Sequence, residues 1–582
     1  MTTPPSGSPR RSDVPLTSRW QHFTPASGLG PGSGRYTTWG AAAAFGATRL
    51  DWLYSTNATF VAAARSHGLR SVALAMNGEL PDPGSSPPTY AIGRAESVLG
   101  EPLVAPWMSA WPNPPSPGCV NKPDYIAIVQ ARLEQLVDAG ADSIQHDDPA
   151  INAGLASWYG GDPHRSGCYC SHCMSGFTSA LMQLNVSERA FLNVTSYFDY
   201  RTFLLANESG TAPDVLHALR VRFVRFQAAS MANYSQRLRA TVPAHVALSC
   251  NGGGDWDVEE RYLDAFDYGV GELHAASSNP GGLRWLYIDG VPPGKAQLMT
   301  MPKQSNTTAV DVNSVRRAVA TAYALGGTML VPWDIYLPTS NASRYYGTPE
   351  LYGDLYNLVR VQGNLMELTD ARVAYDPALA SAVLNHSGVT GDGVRWRLPT
   401  DDPPARGRVV GGGVNVGACA WLARDCAGFF HTASSCFALD QLITISHTAV
   451  DGHSYARSFT PVARPFLANV STVDVLARAA AAAPRKAAWH LIDWSDSDAH
   501  AAIGSKSGDM VTLSLDYGTL FGLVPCSAEA PALLLLDPSH PDQPLPLHSR
   551  CHGNWSNVSL PMPTPWALVV TAEALTVGKE SS

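Results

Sequence analysis

The chain is short of charge. Only 15% of its 582 residues are Asp, Glu, Lys or Arg, and the formal net charge is -9. No Lys/Arg cluster forms the electrostatic footprint that a nucleic-acid partner needs. Long apolar runs are also missing. Nothing approaches the roughly 18 consecutive apolar residues of a membrane-spanning helix, and the longest apolar patches, such as 530–536, are strand-sized. There is no phosphate-cradling glycine loop, no His-Glu-X-X-His and no Gly-X-Ser-X-Gly elbow, which argues against P-loop, zincin and serine-hydrolase chemistry. The first 15 residues, MTTPPSGSPRRSDVP, are rich in Pro and Ser and are expected to be disordered. They lack the apolar core of a signal peptide, which by itself favours the cytosol.

What is abundant points the other way. Eleven Asn-X-Ser/Thr sequons occur, at Asn57, Asn185, Asn193, Asn207, Asn233, Asn306, Asn341, Asn385, Asn469, Asn554 and Asn557. Composition alone would give roughly three, and each is an acceptor only in a secretory compartment. The excess outweighs the missing leader and predicts a secreted or lumenal, N-glycosylated protein. Ten cysteines agree with an oxidising compartment. Cys526 is expected to pair with Cys551, as are two of Cys419, Cys426 and Cys436.

With 45% hydrophobic residues the chain can bury at least one large core. Strand-like runs at 19–23, 48–54, 70–76, 142–146, 245–250, 267–272, 295–301 and 328–333 alternate with helical stretches at 59–67, 125–138, 215–241 and 312–325. Gly68, Gly140 and Gly326 stand where helices end. This alternation over 16–367 predicts an α/β fold, a (β/α)8 TIM-type barrel, with a doubly wound sheet as the alternative. After about residue 367, helical periodicity fades. Residues 368–480 read as irregular and β-rich. Runs at 487–494, 510–515, 532–536 and 567–571 predict a C-terminal β-sandwich over 481–575.

Cys168-Tyr169-Cys170-Ser171-His172-Cys173 places three thiols within six residues, enough to surround a tetrahedral ion. Cys119, before the fourth strand, falls on the same barrel rim as a segment that follows that strand, and is the candidate fourth ligand. Four thiolates leave no open position, so the zinc would be structural. The rival is a pair of disulfides, although a Cys-X-Cys or Cys-X-X-Cys bridge closes a strained ring.

The carboxylates form the second constellation. A barrel does its chemistry at the C-terminal ends of its strands. The polar residues there are Asp147 and Asp148 after the fourth strand, Asn251 after the fifth, Glu272 at the end of the sixth, and Trp333 with Asp334 after the eighth. Neighbours on a strand point to opposite faces, so only one of Asp147 and Asp148 can face the axis. Two carboxylates across a barrel mouth can cleave a glycosidic bond. One protonates the leaving oxygen, and the other attacks the anomeric carbon or activates water. Trp107, Trp111, Trp285 and Trp333 could stack on the apolar faces of a sugar, with Asn251 and Asp334 binding hydroxyls. An N-cap or plain hydrogen-bonding role for Asp147 is the competing reading.

These residues resemble glycoside hydrolase family 42, the microbial β-galactosidases. Cys119–Tyr125 is similar to that family's Cys-X-Asn-X-Pro-X-Tyr segment, and Cys168–Phe177 to its Cys-Tyr-Cys-X-X-Cys-X-X-X-Phe segment. The resemblance implies a zinc held by Cys119, Cys168, Cys170 and Cys173. It also implies a retaining glycosidase with Glu272 as nucleophile and Asp148 as acid/base, Asp147 being a second acid. An inverting pair would stand about 6.5–9.5 Å apart, a retaining pair about 5–5.5 Å. The chain departs from the family at Gln145-His146-Asp147-Asp148-Pro149, where Pro149 occupies the place of the acid/base Glu. Glu272 falls on strand six, whereas the family's nucleophile is on strand seven. The expected substrate is therefore a carbohydrate, with galactosides the first candidates, and oligomerisation is open. The alternative is a non-catalytic carbohydrate-binding protein on a degenerate glycosidase barrel.

Overall fold

A computed structural model describes residues 15–17, 39–80, 88–105, 108–109, 114–147, 149, 152, 155, 163–207, 211–251, 262–271, 273, 283, 286–287, 295–300, 312–330, 349–366, 383–386, 407–408, 443–448, 454–459, 473–480, 483–493, 510–516, 530, 532–552, 555–561 and 566–575. Eight of its strands form one sheet in sequential order: β1 Pro15–Thr17, β2 Arg49–Leu53, β3 Ser71–Asn77, β4 Ser143–Asp147, β5 Ala247–Asn251, β6 Tyr268–Gly271, β7 Ala296–Thr300 and β8 Thr328–Leu330. All seven pairings between neighbours are parallel. β1 also lies against β8, so the sheet curls back on itself. A doubly wound sheet would reverse its strand order part-way across. Sequential order with a closed ring is the (β/α)8 barrel. β1 lies a few residues before the expected run at 19–23, which is outside the described residues.

The helices obey their apolar spacing. Helix α1 is Ala58–Ser66, capped by the Asn57 side chain, which accepts from the amides of Thr59 and Phe60. Helix α2, Pro123–Asp138, starts with proline at N1 and buries Tyr125, Ile126, Val129, Leu133 and Leu136 along one face. Burial of each aliphatic side chain contributes about 1.5–3 kcal/mol. Gly140, at φ +89°, ends the turn. The crossover from β4 to β5 holds helix α3, Ser171–Met182, two short helices at Val186–Leu192 and Tyr200–Asn207, and helix α4, Pro213–Thr241. Helix α5, Val312–Ala324, precedes β8, and helix α6, Pro349–Val361, follows it.

Alternation along the strands sorts side chains. In β4 and β5, Ile144, Leu248 and Cys250 join the apolar cluster that includes the helices. Ser143, Gln145, Asp147, Ala247, Ser249 and Asn251 have the opposite parity and fill the barrel. Its floor is polar. Arg49 makes a bidentate bond to Asp51, at 2.6 and 2.7 Å, and donates to Tyr268 Oη at 2.6 Å. Tyr268 Oη in turn lies 2.6 Å from Ser143 Oγ. This ion pair is fully buried, and every charge in it has a hydrogen-bonded partner.

Beyond residue 366 all described pairings are antiparallel. A four-stranded sheet orders Val383–His386, Met510–Asp516, Trp555–Pro561 and Ser549–His552. A five-stranded sheet orders Val473–Ala480, Ala483–Asp493, Trp566–Thr571, Leu533–Leu536 and Leu545–Pro546. A three-stranded sheet joins Gly407–Arg408, Ser454–Phe459 and Ile443–Thr448. The stretch with no assignable fold in the sequence thus contributes strands to all three. Trp566, Leu568 and Val570, at strand period, share one buried cluster with Tyr323 of α5 and Tyr352 and Tyr356 of α6. The five-stranded sheet is packed on the barrel. Cys551 is disulfide-bonded. The other described cysteines carry no disulfide, and Cys526, expected as its partner, lies with Cys419, Cys426 and Cys436 outside the described residues.

Candidate active site and cysteine clip

Asp147 ends β4 with its side chain on the barrel-facing side, 4% exposed. Asn251, at the end of β5, donates from Nδ2 to Asp147 Oδ1 at 2.7 Å. Tyr54, one residue past β2, donates to Asp147 Oδ2. Tyr54 Oη itself accepts from the indole N–H of Trp52 at 3.0 Å. Both carboxylate oxygens therefore accept a hydrogen bond, the arrangement of an ionised group. Trp52 itself sits at φ +57°, inside a register shift between Leu50 and Leu53. An aromatic residue there is strained, and the bulge re-aims the strand end that carries Tyr54.

Behind the mouth, His146 points out of the barrel. Its Nδ1 lies 2.9 Å from Asp147 O and its Nε2 lies 2.7 Å from Tyr234 Oη of α4. A carbonyl only accepts, so Nδ1 carries the proton and Tyr234 donates to Nε2. Burial pushes the ring down to about pKa 4, so it is neutral. The sign of the pH effect follows. Above the ordinary value of 6.5 neither state binds the proton. As pH falls from there toward 4, the unfolded chain takes it up and the folded one does not. Stability is expected to fall by up to about 1.4 kcal/mol per pH unit in that window. Urea midpoints against pH should show this slope in the wild type and its loss in His146→Gln; parallel curves would refute it.

The four cysteines meet as expected. Cys119 comes just before α2, Cys168 and Cys170 just before α3, and Cys173 lies in the first turn of α3. All four are buried and free, and their sulfurs lie within 4.8 Å of one another. Cys119 Sγ is 3.7 Å from Cys170 Sγ and 3.4 Å from Cys173 Sγ. A tetrahedron with Zn–S bonds of about 2.3 Å has edges of about 3.8 Å, whereas a disulfide needs about 2.0 Å. The spacing fits a metal tetrahedron and excludes two disulfides among these residues. Burial pushes the Cys168 and Cys173 thiols up, while hydrogen bonds from its three neighbours pull Cys170 down. A bound cation is what turns such a buried set fully into thiolates. The donor set therefore fits structural zinc.

Other groups support the clip. Glu96 N donates to Cys168 Sγ at 3.3 Å, and Asn121 Nδ2 to Cys173 Sγ at 3.3 Å. Lys122 Nζ bonds Glu96 at 2.6 Å. Burial acts to lower the Lys122 ammonium, but Glu96 and the sulfurs of Cys170 and Cys168 more than offset it and hold it above its ordinary value. A Cβ on Gly118 would lie 1.9 Å from the Tyr125 ring, so only glycine lets the chain pass into Cys119.

Of the residues singled out from the sequence, Asp147 and Asn251 come together, as do all four cysteines. Asp148, Glu272, Trp107, Trp111, Trp285, Trp333 and Asp334 lie outside the described residues. Strand parity places Asp147 among the residues that face the barrel. Tyr54 went unnoticed as a site residue, although it closes the second expected strand run and an aromatic at a strand end was a usable signal. Asn152 and Gln227, described below, had no sequence signal.

No family model and no curated protein sequence matches the chain. Among solved structures, α-L-fucosidase isoenzyme 2 from Paenibacillus thiaminolyticus is similar over 97% of this chain and 100% of that one, with a TM-score of 0.50 and 11% identity. A cycloisomaltooligosaccharide glucanotransferase from Paenibacillus sp. matches over 97% and 85%, at TM-score 0.48 and 9% identity. The β-galactosidase from the psychrophilic Marinomonas ef1 matches over 62% of each chain, at TM-score 0.44 and 12% identity. At such identities the likeness is one of fold. The fucosidase likeness agrees with the parallel barrel described above.

Proposed function

We propose that the protein is a glycoside hydrolase in which Asp147 attacks or stabilises the anomeric carbon and Glu272 serves as acid/base. One observation carries this: a carboxylate at the mouth of a parallel barrel, with both oxygens held by donors from the ends of β2 and β5. A group so held is suited to act as a charged nucleophile. A general acid must instead carry the proton. The family-42 resemblance suggested the opposite order, with Glu272 as nucleophile and Asp148 as acid/base. Strand parity favours Asp147, and the interior ionised pattern favours the exchange of roles. Glu272 follows the last residue of β6 in the sequence. The substrate class is a carbohydrate, and chromogenic galactosides are the first panel to try. Turnover that vanishes in Asp147→Asn supports the assignment, and undiminished turnover defeats it.

A second reading has one observation behind it. With both oxygens of Asp147 engaged, a purely architectural carboxylate on a sugar-binding barrel is also consistent. Oligosaccharide binding with no hydrolysis over long incubation would favour it.

The compartment proposal is a secreted or lumenal, N-glycosylated protein. Asn57, Asn185, Asn193 and Asn233 are all exposed, which supports glycan attachment there. Protein from its native source is expected to gain gel mobility after enzymatic deglycosylation. Unchanged mobility counts against this proposal.

A further inference from the structure

Five residues after Asp147, the chain returns to the cysteine clip at Asn152. This side chain is fully buried, and each end of its amide is used. Asn152 Oδ1 accepts from Val120 N at 3.1 Å. Asn152 Nδ2 donates to Gln227 Oε1 at 2.7 Å and faces the sulfurs of Cys119 and Cys173 at 3.6 and 3.7 Å. Gln227, also fully buried, lies on α4 and donates from Nε2 to Cys168 O at 3.0 Å. Asn152 thus joins the backbone beside one cysteine, two candidate ligand sulfurs, and, through Gln227, the backbone of a third cysteine.

The geometry points to Asn152 as a positioning residue that ties the clip to the mouth end of β4. The inference rests on the metal reading of the four cysteines. From Asp147 to Asn152 the chain can span at most about 17 Å, and Pro149 removes part of its freedom. One end of this tether is fixed by the β4 ladder and the bond from Gly78 N to Asp147 O at 3.0 Å. The other end is fixed only if Asn152 finds the clip assembled. A filled clip draws its sulfurs into a tetrahedron of fixed edge, and the Asn152 amide reads that spacing. N–H donors to sulfur also spread the net negative charge of a tetrathiolate metal centre, which is how groups around the ligands set metal affinity.

The arrangement separates Asn152 from Asn121. Both offer an N–H to Cys173 Sγ, but only Asn152 belongs to the segment leaving β4. The test uses the full-length protein loaded with zinc. Zinc release to a chromophoric chelator, the thiolate-to-metal charge-transfer band of the cobalt(II)-loaded form, and amide exchange of the peptide 143–149 are compared in wild type, Asn152→Ala and Asn121→Ala. Asn152→Asp is the shape-conserving second variant. Both asparagine-to-alanine variants are expected to release zinc about 10–100-fold faster and to shift the cobalt band. Only the Asn152 variants should raise exchange in 143–149. Wild-type exchange there in the Asn152 variants, or exchange raised equally in Asn121→Ala, overturns the proposal. If the wild type binds zinc and the Asn152 variants match it in release, this inference fails while the metal reading stands. If the wild type takes up no zinc, both fail.

Discussion

Asp147→Asn is expected to lower kcat on any glycoside the protein turns over by about a thousandfold, within the range ascribed to a single positioned catalytic group. The substitution is nearly isosteric. Its carbonyl oxygen can still accept from Asn251 Nδ2, while the new amide replaces an oxygen that accepts from Tyr54 Oη. Tyr54 must turn its hydrogen away, which costs about 1 kcal/mol for the lost bond. The barrel should therefore stay folded, and KM should move far less than kcat. The loss would then belong to the charge that the transition state needs and not to substrate binding. Tyr54→Phe removes one donor and keeps the carboxylate, so a smaller loss of about ten- to a hundredfold is expected. The informative result is the pair of rates with thermal midpoints beside them. Full turnover in Asp147→Asn, with a wild-type midpoint, removes Asp147 from the chemistry.

Opening the clip should have the largest effect on stability. Cys170→Ser, or exhaustive chelation, is expected to destabilise the barrel by on the order of 5 kcal/mol. Structural zinc supplies about 10–16 kcal/mol of apparent binding energy in small zinc domains, and a whole domain has only about 5–15 kcal/mol to lose. The clip holds the start of α2 against the start of α3, and the apolar cluster there includes Tyr125, Tyr169, Phe177 and Phe223. Releasing it exposes four buried sulfurs and leaves the Asn152 and Gln227 amides without their fixed partners. Differential scanning calorimetry with and without chelator, alongside elemental analysis for one zinc per chain, measures the effect. An unchanged melting profile in zinc-free protein would refute the structural role.

How far the sequence could be read depended on how local the signal was. The alternation 48–54, 70–76, 142–146 and 245–250 matches β2 to β5 because apolar period and terminal glycines act within a few residues. The cluster of Cys119, Cys168, Cys170 and Cys173 was legible because thiol chemistry is rare and its spacing narrow. Residues 376–480 were illegible for the opposite reason. Some of their strands pair with partners more than a hundred residues away, as Val383–His386 does with Met510–Asp516, and nothing local announces such pairing.

By itself, then, the amino-acid sequence determined the barrel, the cysteine clip and a polar rim at the ends of β4 and β5. All of these follow from side-chain period and donor chemistry within single segments. Only the tertiary structure put the Asp147 side chain on the barrel-facing side. Parity is set by the ladder that β4 forms with β3 and β5, and a shift of one residue would turn Asp147 away from the barrel. It alone brought Tyr54 to Asp147 across 93 positions and Asn152 to Gln227 across 75. Hydrogen bonds of that separation depend on where two backbones come to rest, and that is fixed by the packing of the whole barrel.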